Sequence, residues 1–155
     1  MEERDQGPAE EVALENALRK AEAVAAHDRE ALVLAVDTVV SLDGRLYGKP
    51  QSVEDARRTL RQLGGRTHQV VSAVCVHSHG QPRAATATTR VTFRPADERL
   101  IAWYLETGEW GGRAGGYAIQ GRGAALIEAI EGDYTNVVGL PVATLLDLCP
   151  ALLEA

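Results

Sequence analysis

The chain has 155 residues, with 22 acidic against 16 basic side chains and a net charge of −6. That length fits one domain with a sizeable core and not two substantial ones. The acidic balance argues against a broad polyanion-binding face, because nucleic-acid affinity comes mostly from neutralised phosphates, while a small nucleotide held by a few local cations stays compatible.

Ala9 to about His27 carries strong helix formers, with Leu14, Leu18, Ala21 and Ala25 at three- and four-residue spacing, and reads as an amphipathic helix. Lys20 lies within it and reads, from the local sequence, as a solvated helix charge. Leu32 to Val36 is a run of five apolar residues, predicted as a buried strand that Asp37 closes at its carboxyl end. The apolar run resumes, then Asp43-Gly44 supplies the positive-φ pair of a tight hairpin turn, and the hairpin returns Lys49 towards Asp37. Ser52 reads as the N-cap of a second helix, with Asp55 as the capping-box acid three residues on. Val53, Ala56, Leu60 and Leu63 mark its apolar face, and Gly64-Gly65 ends it.

A valine-rich strand buried on both faces is predicted from Thr67 to His77, followed by a turn at Gly80-Gln81-Pro82. Ala85 to Phe93 alternates as a half-buried strand antiparallel to it. A third helix is predicted over Ala96 to Thr107, with Leu100, Ile101, Tyr104 and Leu105 on one face. Gly111, Gly112, Gly115, Gly116, Gly121 and Gly123 then put six of the 15 glycines around Tyr117-Ala118-Ile119-Gln120. Such density lets backbone approach a ligand closely or take positive φ; glycines serving only bulges and bends are the alternative. Ala124 to Ile130 reads as a short apolar strand, and Glu131-Gly132-Asp133 turns it into Tyr134 to Val138. Pro141 opens a final helix with Val142, Leu145, Leu146 and Cys149 inward. The class is α/β or α+β: one domain on a mixed sheet with flanking helices.

A carboxylate and an ammonium on neighbouring strand ends, Asp37 and Lys49, suit a metal-polyphosphate ligand. One holds the cation or activates water while the other neutralises phosphate oxygens. The alternative is a turn-capping Asp37 and a solvated Lys49. A Walker loop is excluded, since only three residues separate Gly44 from Gly48-Lys49 and Pro50 follows the lysine. His27, His68, His77 and His79 have no metallohydrolase spacing, and no G-x-S-x-G elbow is present. Cys75 and Cys149, the only cysteines, lie far apart in apolar runs and suggest neither a disulfide framework nor a zinc site, so a reducing cytoplasm is the default. No apolar run approaches a membrane span, and Met1-Glu2-Glu3-Arg4-Asp5 is too acidic for a signal peptide.

Five blocks taken together resemble the Maf family. They are Ala17-Leu18-Arg19-Lys20-Ala21, Val36-Asp37-Thr38-Val39-Val40 with Leu42-Asp43-Gly44, Gly48-Lys49-Pro50, Ala114-Gly115-Gly116-Tyr117-Ala118-Ile119-Gln120-Gly121, and Gly132-Asp133-Tyr134-Thr135-Asn136-Val137-Val138-Gly139-Leu140-Pro141. They occur in the family's order and cover nearly the whole chain. The resemblance implies a cytoplasmic nucleoside triphosphate pyrophosphatase of inosine-triphosphatase-like fold, using a divalent cation, Mg²⁺ or Mn²⁺, and often forming a homodimer. It implies a nucleoside triphosphate as substrate, with neither nucleic acid nor membrane as partner.

By the same resemblance Asp37 matches the catalytic aspartate taken to activate water and bind metal, and Lys20 and Lys49 match two lysines thought to hold the triphosphate. Thr38 and Gln120 match the branch acting on dTTP and UTP, whereas the 7-methyl-GTP branch carries Asp-Gln and Ser-Glu-Gly there. A glutamine amide can pair with the imide edge of thymine or uracil. Glu3, or alternatively Glu2, matches the acidic residue expected to assist the metal.

Family members open with a short apolar strand and a Ser-x-Ser-Pro-Arg-Arg loop, and this sequence has neither before Met1-Glu2-Glu3. The domain is thus expected to be N-terminally truncated relative to the family, through a start assigned late at a GTG codon or a genuine shortening. Gly112 stands where the family commonly has Asp, and Arg113 where it has Lys, which changes hydrogen-bond geometry while keeping the charge. These departures leave a catalytically impaired nucleotide-binding or division-associated regulator as the alternative function.

Overall fold

The computed structural model describes residues 2–95 and 97–154. Strands β1 (Val33–Leu42), β2 (Arg45–Tyr47), β3 (Thr67–Ser78), β4 (Gln81–Phe93) and β5 (Ile127–Glu131) form one sheet in the order β2-β1-β3-β4-β5. The expected α/β class holds, but every strand pair among the described residues is antiparallel, where a mixed sheet was expected. β2 and β3 flank β1 and both run antiparallel to it, so the connection between them, which carries the second helix, restores the same direction, while the β1–β2 and β3–β4 turns reverse the chain.

Helix α1 (Ala9–Ala25) lies on one face of this sheet. Its buried stripe is Ala13, Ala17, Ala21 and Ala25, packed on Val33, Val71, Ala73 and Cys75, with Leu14 and Leu18 at the flank. Methyl-sized side chains let the helix approach the strands closely, and a larger residue such as Leu at Ala17 would cost about 1–3 kcal/mol through overpacking.

The opposite face carries the larger core. Val40, Val70, Val91 and Phe93 meet Leu60 and Leu63 of α2 (Val53–Leu63) and Ile101 and Tyr104 of α3 (Glu98–Glu106). Helix α2 starts as expected: Ser52 Oγ accepts the Asp55 N–H at 3.1 Å, and the Asp55 carboxylate accepts the Gln51 N–H at 2.9 Å. Ala96, the expected start of the third helix, lies outside the described residues; Asp97 caps α3 by accepting the Arg99 N–H at 2.8 Å. Helices α4 (Tyr134–Val138) and α5 (Val142–Leu148) and a 3-10 turn over Pro150–Glu154 follow, with Leu145 and Cys149 buried against Val74 and Val76 and Val142 left exposed.

Three further sequence expectations are corrected. Strand β1 does not end at Asp37 but runs through it to Leu42, with Asp37 opposite Ala73 in mid-strand. The β3–β4 turn is His79-Gly80, both at positive φ, and Pro82 lies inside β4 where β5 does not reach, an edge position that tolerates proline. The first half of the expected strand from Ala124 is a 3-10 turn over Arg122–Leu126.

Candidate active site

Alternation along β1 sends Val33, Ala35, Asp37 and Val39 towards α1 and Val36, Thr38 and Val40 to the other face. Asp37 is therefore the one acidic group in an otherwise apolar stripe, and its side chain is only 8% exposed. A carboxylate buried so deeply needs partners, and α1 supplies them. Lys20 Nζ donates to Asp37 Oδ1 at 2.6 Å, and Asn16 Nδ2 donates to Oδ2 at 3.2 Å. Asn16 and Lys20 stand four residues apart, one turn along the same helix face.

The same two side chains hold the N-terminal segment. Lys20 Nζ also meets Glu3 Oε1 at 2.8 Å. Asn16 brackets the Arg4 backbone, accepting its N–H at 2.8 Å and donating to its carbonyl at 2.9 Å. Burial works against the Lys20 charge, but the hydrogen bonds to Asp37 and Glu3 outweigh it and hold the ammonium above its ordinary value. The Lys20 hydrogen bond in turn lowers the Glu3 carboxyl, with a further contribution from the Lys49 charge. Lys20 is thus a charged member of a Glu3–Lys20–Asp37 chain, not the solvated helix charge its local sequence suggested.

Lys49 arrives by the hairpin. β2 pairs Tyr47 with Val40, and Lys49, two residues further on, lines a cleft of about 440 Å³ together with Glu3, Asn16, Asp37 and Thr38. An adjoining cleft of about 190 Å³ is lined by Thr38, Lys49, Arg113, Tyr117 and Gln120. The two meet at the outer edge of β1, where β2 pairing stops at Val40 and Asp37 and Thr38 look to opposite faces. The Thr38 hydroxyl is hydrogen-bonded to Ser72 Oγ at 2.8 Å.

The glycine-rich segment docks on this hairpin. Gly115 N–H donates to the Gly48 carbonyl at 3.2 Å. At Gly115 and Gly116 φ is positive, and a Cβ would come within 2.9 Å of Val40 Cγ2 and 3.1 Å of Pro50 Cγ respectively. Backbone–side-chain contact at that range sets Ala114 beside Lys49 and carries the chain on to Gln120, which is exposed in the second cleft. The structure therefore brings Glu3, Asp37, Thr38, Lys49 and Gln120 to the lining of two adjoining clefts, with Lys20 bound to Asp37 and Glu3 but not itself lining either one.

Among the described residues no group of three or more His, Cys, Asp or Glu side chains could hold a metal ion alone. Glu3 and Asp37 converge on one ammonium, so a cation can be shared between them. Two carboxylates with water and phosphate oxygens completing the shell is how Mg²⁺ is usually held, and the donor set fits an ion that arrives with a polyphosphate.

Sequence reasoning missed three contributors. Asn16 belongs to no motif in the sequence; its spacing of four from Lys20 was the available signal. Glu109, just after α3, accepts the Arg122 and Gly123 N–H groups. His68 is buried on β3, its Nε2 2.6 Å from the Tyr117 hydroxyl, and desolvation pushes its pKa down to about 4.

A family model described as Maf-like protein matches residues 1–152. A "dTTP/UTP pyrophosphatase" of Pyrococcus furiosus is 48% identical over 75% of this chain and 61% of its own length. Proteins of the same name from Bacillus velezensis and Pyrococcus abyssi are 47% and 43% identical, over 81% and 89% of this chain and 66% and 74% of their own lengths. The chain thus spans a little under two thirds of the length of the first two.

Proposed function

The chain belongs to the Maf-like protein family, and from that premise we propose that it hydrolyses dTTP and UTP to the nucleoside monophosphate and pyrophosphate. The activity for which its relatives are named supports this reading. The observation that carries it is the placement of Asp37 against Lys20, in one cleft with Lys49.

In this reaction a water oxygen bonds to the α-phosphorus as the bond from that phosphorus to the α–β bridging oxygen breaks, and pyrophosphate leaves with that oxygen. Asp37 holds the water and takes its proton, its orientation fixed by Asn16 and Lys20. Lys49, and Lys20 once it turns from Glu3, meet the phosphate oxygens whose negative charge spreads in the transition state. A Mg²⁺ or Mn²⁺ ion bound by Asp37 and Glu3 would supply further neutralisation of the phosphates. The second cleft takes the base: Val40, Val70 and Val137 offer an apolar wall, and the Gln120 amide offers the donor and acceptor for a pyrimidine imide edge. A cytoplasmic location is part of this reading, since the proposed substrates are nucleoside triphosphates.

Pyrophosphate release from a panel of nucleoside triphosphates with Mg²⁺ or Mn²⁺ tests the reading. UTP and dTTP should turn over ahead of CTP, ATP and GTP, and Asp37→Asn should lose at least about a hundredfold in kcat. Nucleotide binding without turnover would instead support the regulatory alternative.

A further inference from the structure

The turn that carries Gln120 is held from both sides by one carboxylate. Glu109 Oε2 accepts the Arg122 N–H at 3.0 Å, and Oε1 accepts the Gly123 N–H at 3.3 Å. On the other side of Gln120, the Ala118 N–H donates to the Tyr104 hydroxyl at 2.9 Å, and that hydroxyl points on to Glu109 Oε1 at 3.4 Å. Residues 118, 122 and 123 are therefore fixed to Glu109 directly or through one phenol, and Gln120 sits at the middle of the clamped stretch.

The glycines nearby are those the clamp requires. A Cβ on Gly121 would lie 2.5 Å from Glu109 Oε1, and one on Gly123 would lie 2.3 Å from the Ala118 carbonyl oxygen. The carboxylate can reach the backbone only because Gly121 has no side chain, and the turn can fold onto Ala118 only because Gly123 has none. Glu109 is itself fixed, its N–H donating to Thr107 Oγ1 at 3.1 Å and its carbonyl accepting from Arg113 Nε at 3.1 Å.

We propose that Glu109 is a positioning residue for base selection, setting the place of the Gln120 amide through the Arg122 and Gly123 N–H groups and, by way of Tyr104, through Ala118. This rests on the reading that Gln120 meets the pyrimidine base. A carboxylate is needed because both of its oxygens only accept, and here they face N–H and O–H donors. A glutamine would turn an NH₂ group towards one of those donors and release part of the turn. Gln120 would then be presented to the base edge in several positions, which weakens discrimination between bases more than it weakens the chemistry at Asp37.

The test is kcat and KM for UTP and CTP, whose base edges differ in donor and acceptor order, in the wild type, Glu109→Gln, Tyr104→Phe, Gln120→Ala and the Glu109→Gln/Gln120→Ala pair. In Glu109→Gln the UTP-over-CTP ratio of kcat/KM should fall about tenfold, carried mostly by KM. The pair should be no less selective than Gln120→Ala alone, because Glu109 acts through that amide. Tyr104→Phe keeps the buried ring and removes only the relay to Ala118, so it should show a smaller loss of selectivity even if Glu109→Gln fails to fold. Selectivity lost in Gln120→Ala but kept in Glu109→Gln, or kept in Tyr104→Phe where Glu109→Gln is unfolded, overturns the proposal alone. Unchanged selectivity in Gln120→Ala, or a wild type that does not prefer UTP, overturns the base-reading premise and the proposal with it.

Discussion

The Lys20 ammonium donates to the Asp37 carboxylate at 2.6 Å across the α1–β1 interface, with the Asp37 side chain 8% and the Lys20 side chain 29% exposed. Removing one partner of a wholly buried pair costs about 3–5 kcal/mol, and partial exposure of Lys20 places this pair below that range. Lys20→Met should therefore lower the thermal midpoint and cut kcat/KM for UTP by about a hundredfold or more, since a phosphate-facing cation is lost with it. Melting curves alongside steady-state kinetics check both; full activity in a stable Lys20→Met protein would remove Lys20 from the site.

Asn16 spends its whole amide on the site, two bonds to the Arg4 backbone and one to Asp37. Asn16→Leu leaves those groups unpartnered at a cost of about 1–3 kcal/mol. Its kinetic signature should be a lower kcat with KM for UTP changed less, because Asp37 orientation matters more in the transition state than in binding. Asn16→Asp should be worse, as it sets a second carboxylate against Asp37.

Glu3 lines the first cleft and is ion-paired with Lys20 there. With Glu3→Gln, the Mg²⁺ concentration giving half-maximal turnover should rise about tenfold, while kcat at saturating Mg²⁺ stays within about threefold. Mn²⁺ binding followed by electron paramagnetic resonance gives a readout independent of turnover; unchanged affinity there would remove Glu3 from the cation site.

The buried His68 ring is held neutral, its pKa pushed by desolvation from 6.5 down to about 4. Between those two values the unfolded chain binds more protons than the folded one, so stability rises with pH across the window and is lost as pH falls from 6.5 towards 4. The full effect is about 3 kcal/mol at most. His68→Gln, which can still meet the Tyr117 hydroxyl, should show a shallower fall in thermal midpoint over that window. Parallel pH profiles for the two proteins would contradict the assignment.

The sequence disclosed the secondary-structure order because apolar period and caps are local signals, as the Ser52–Asp55 start of α2 shows. It misplaced Asp37 because a charge inside an apolar run looks like a strand end when the side chains that satisfy it, Asn16 and Lys20, come from a different element. Lys20 was legible as a site residue only through family resemblance, and Asn16 only through its four-residue spacing from Lys20. The density of glycines pointed to a segment where backbone approaches a ligand or takes positive φ, but the reason for each lies in contacts distant in sequence, such as Gly115 against Val40 and Gly121 against Glu109.

The placement of Asp37 against an incoming α-phosphate is tested most directly by hydrolysing UTP in water enriched with heavy oxygen and locating the label in the separated products. The expected result is label in UMP, none in the pyrophosphate, and both products formed at least about a hundredfold more slowly by Asp37→Asn. Label in the pyrophosphate, or release of UDP and orthophosphate, would show attack at another phosphorus and contradict the assignment of this cleft.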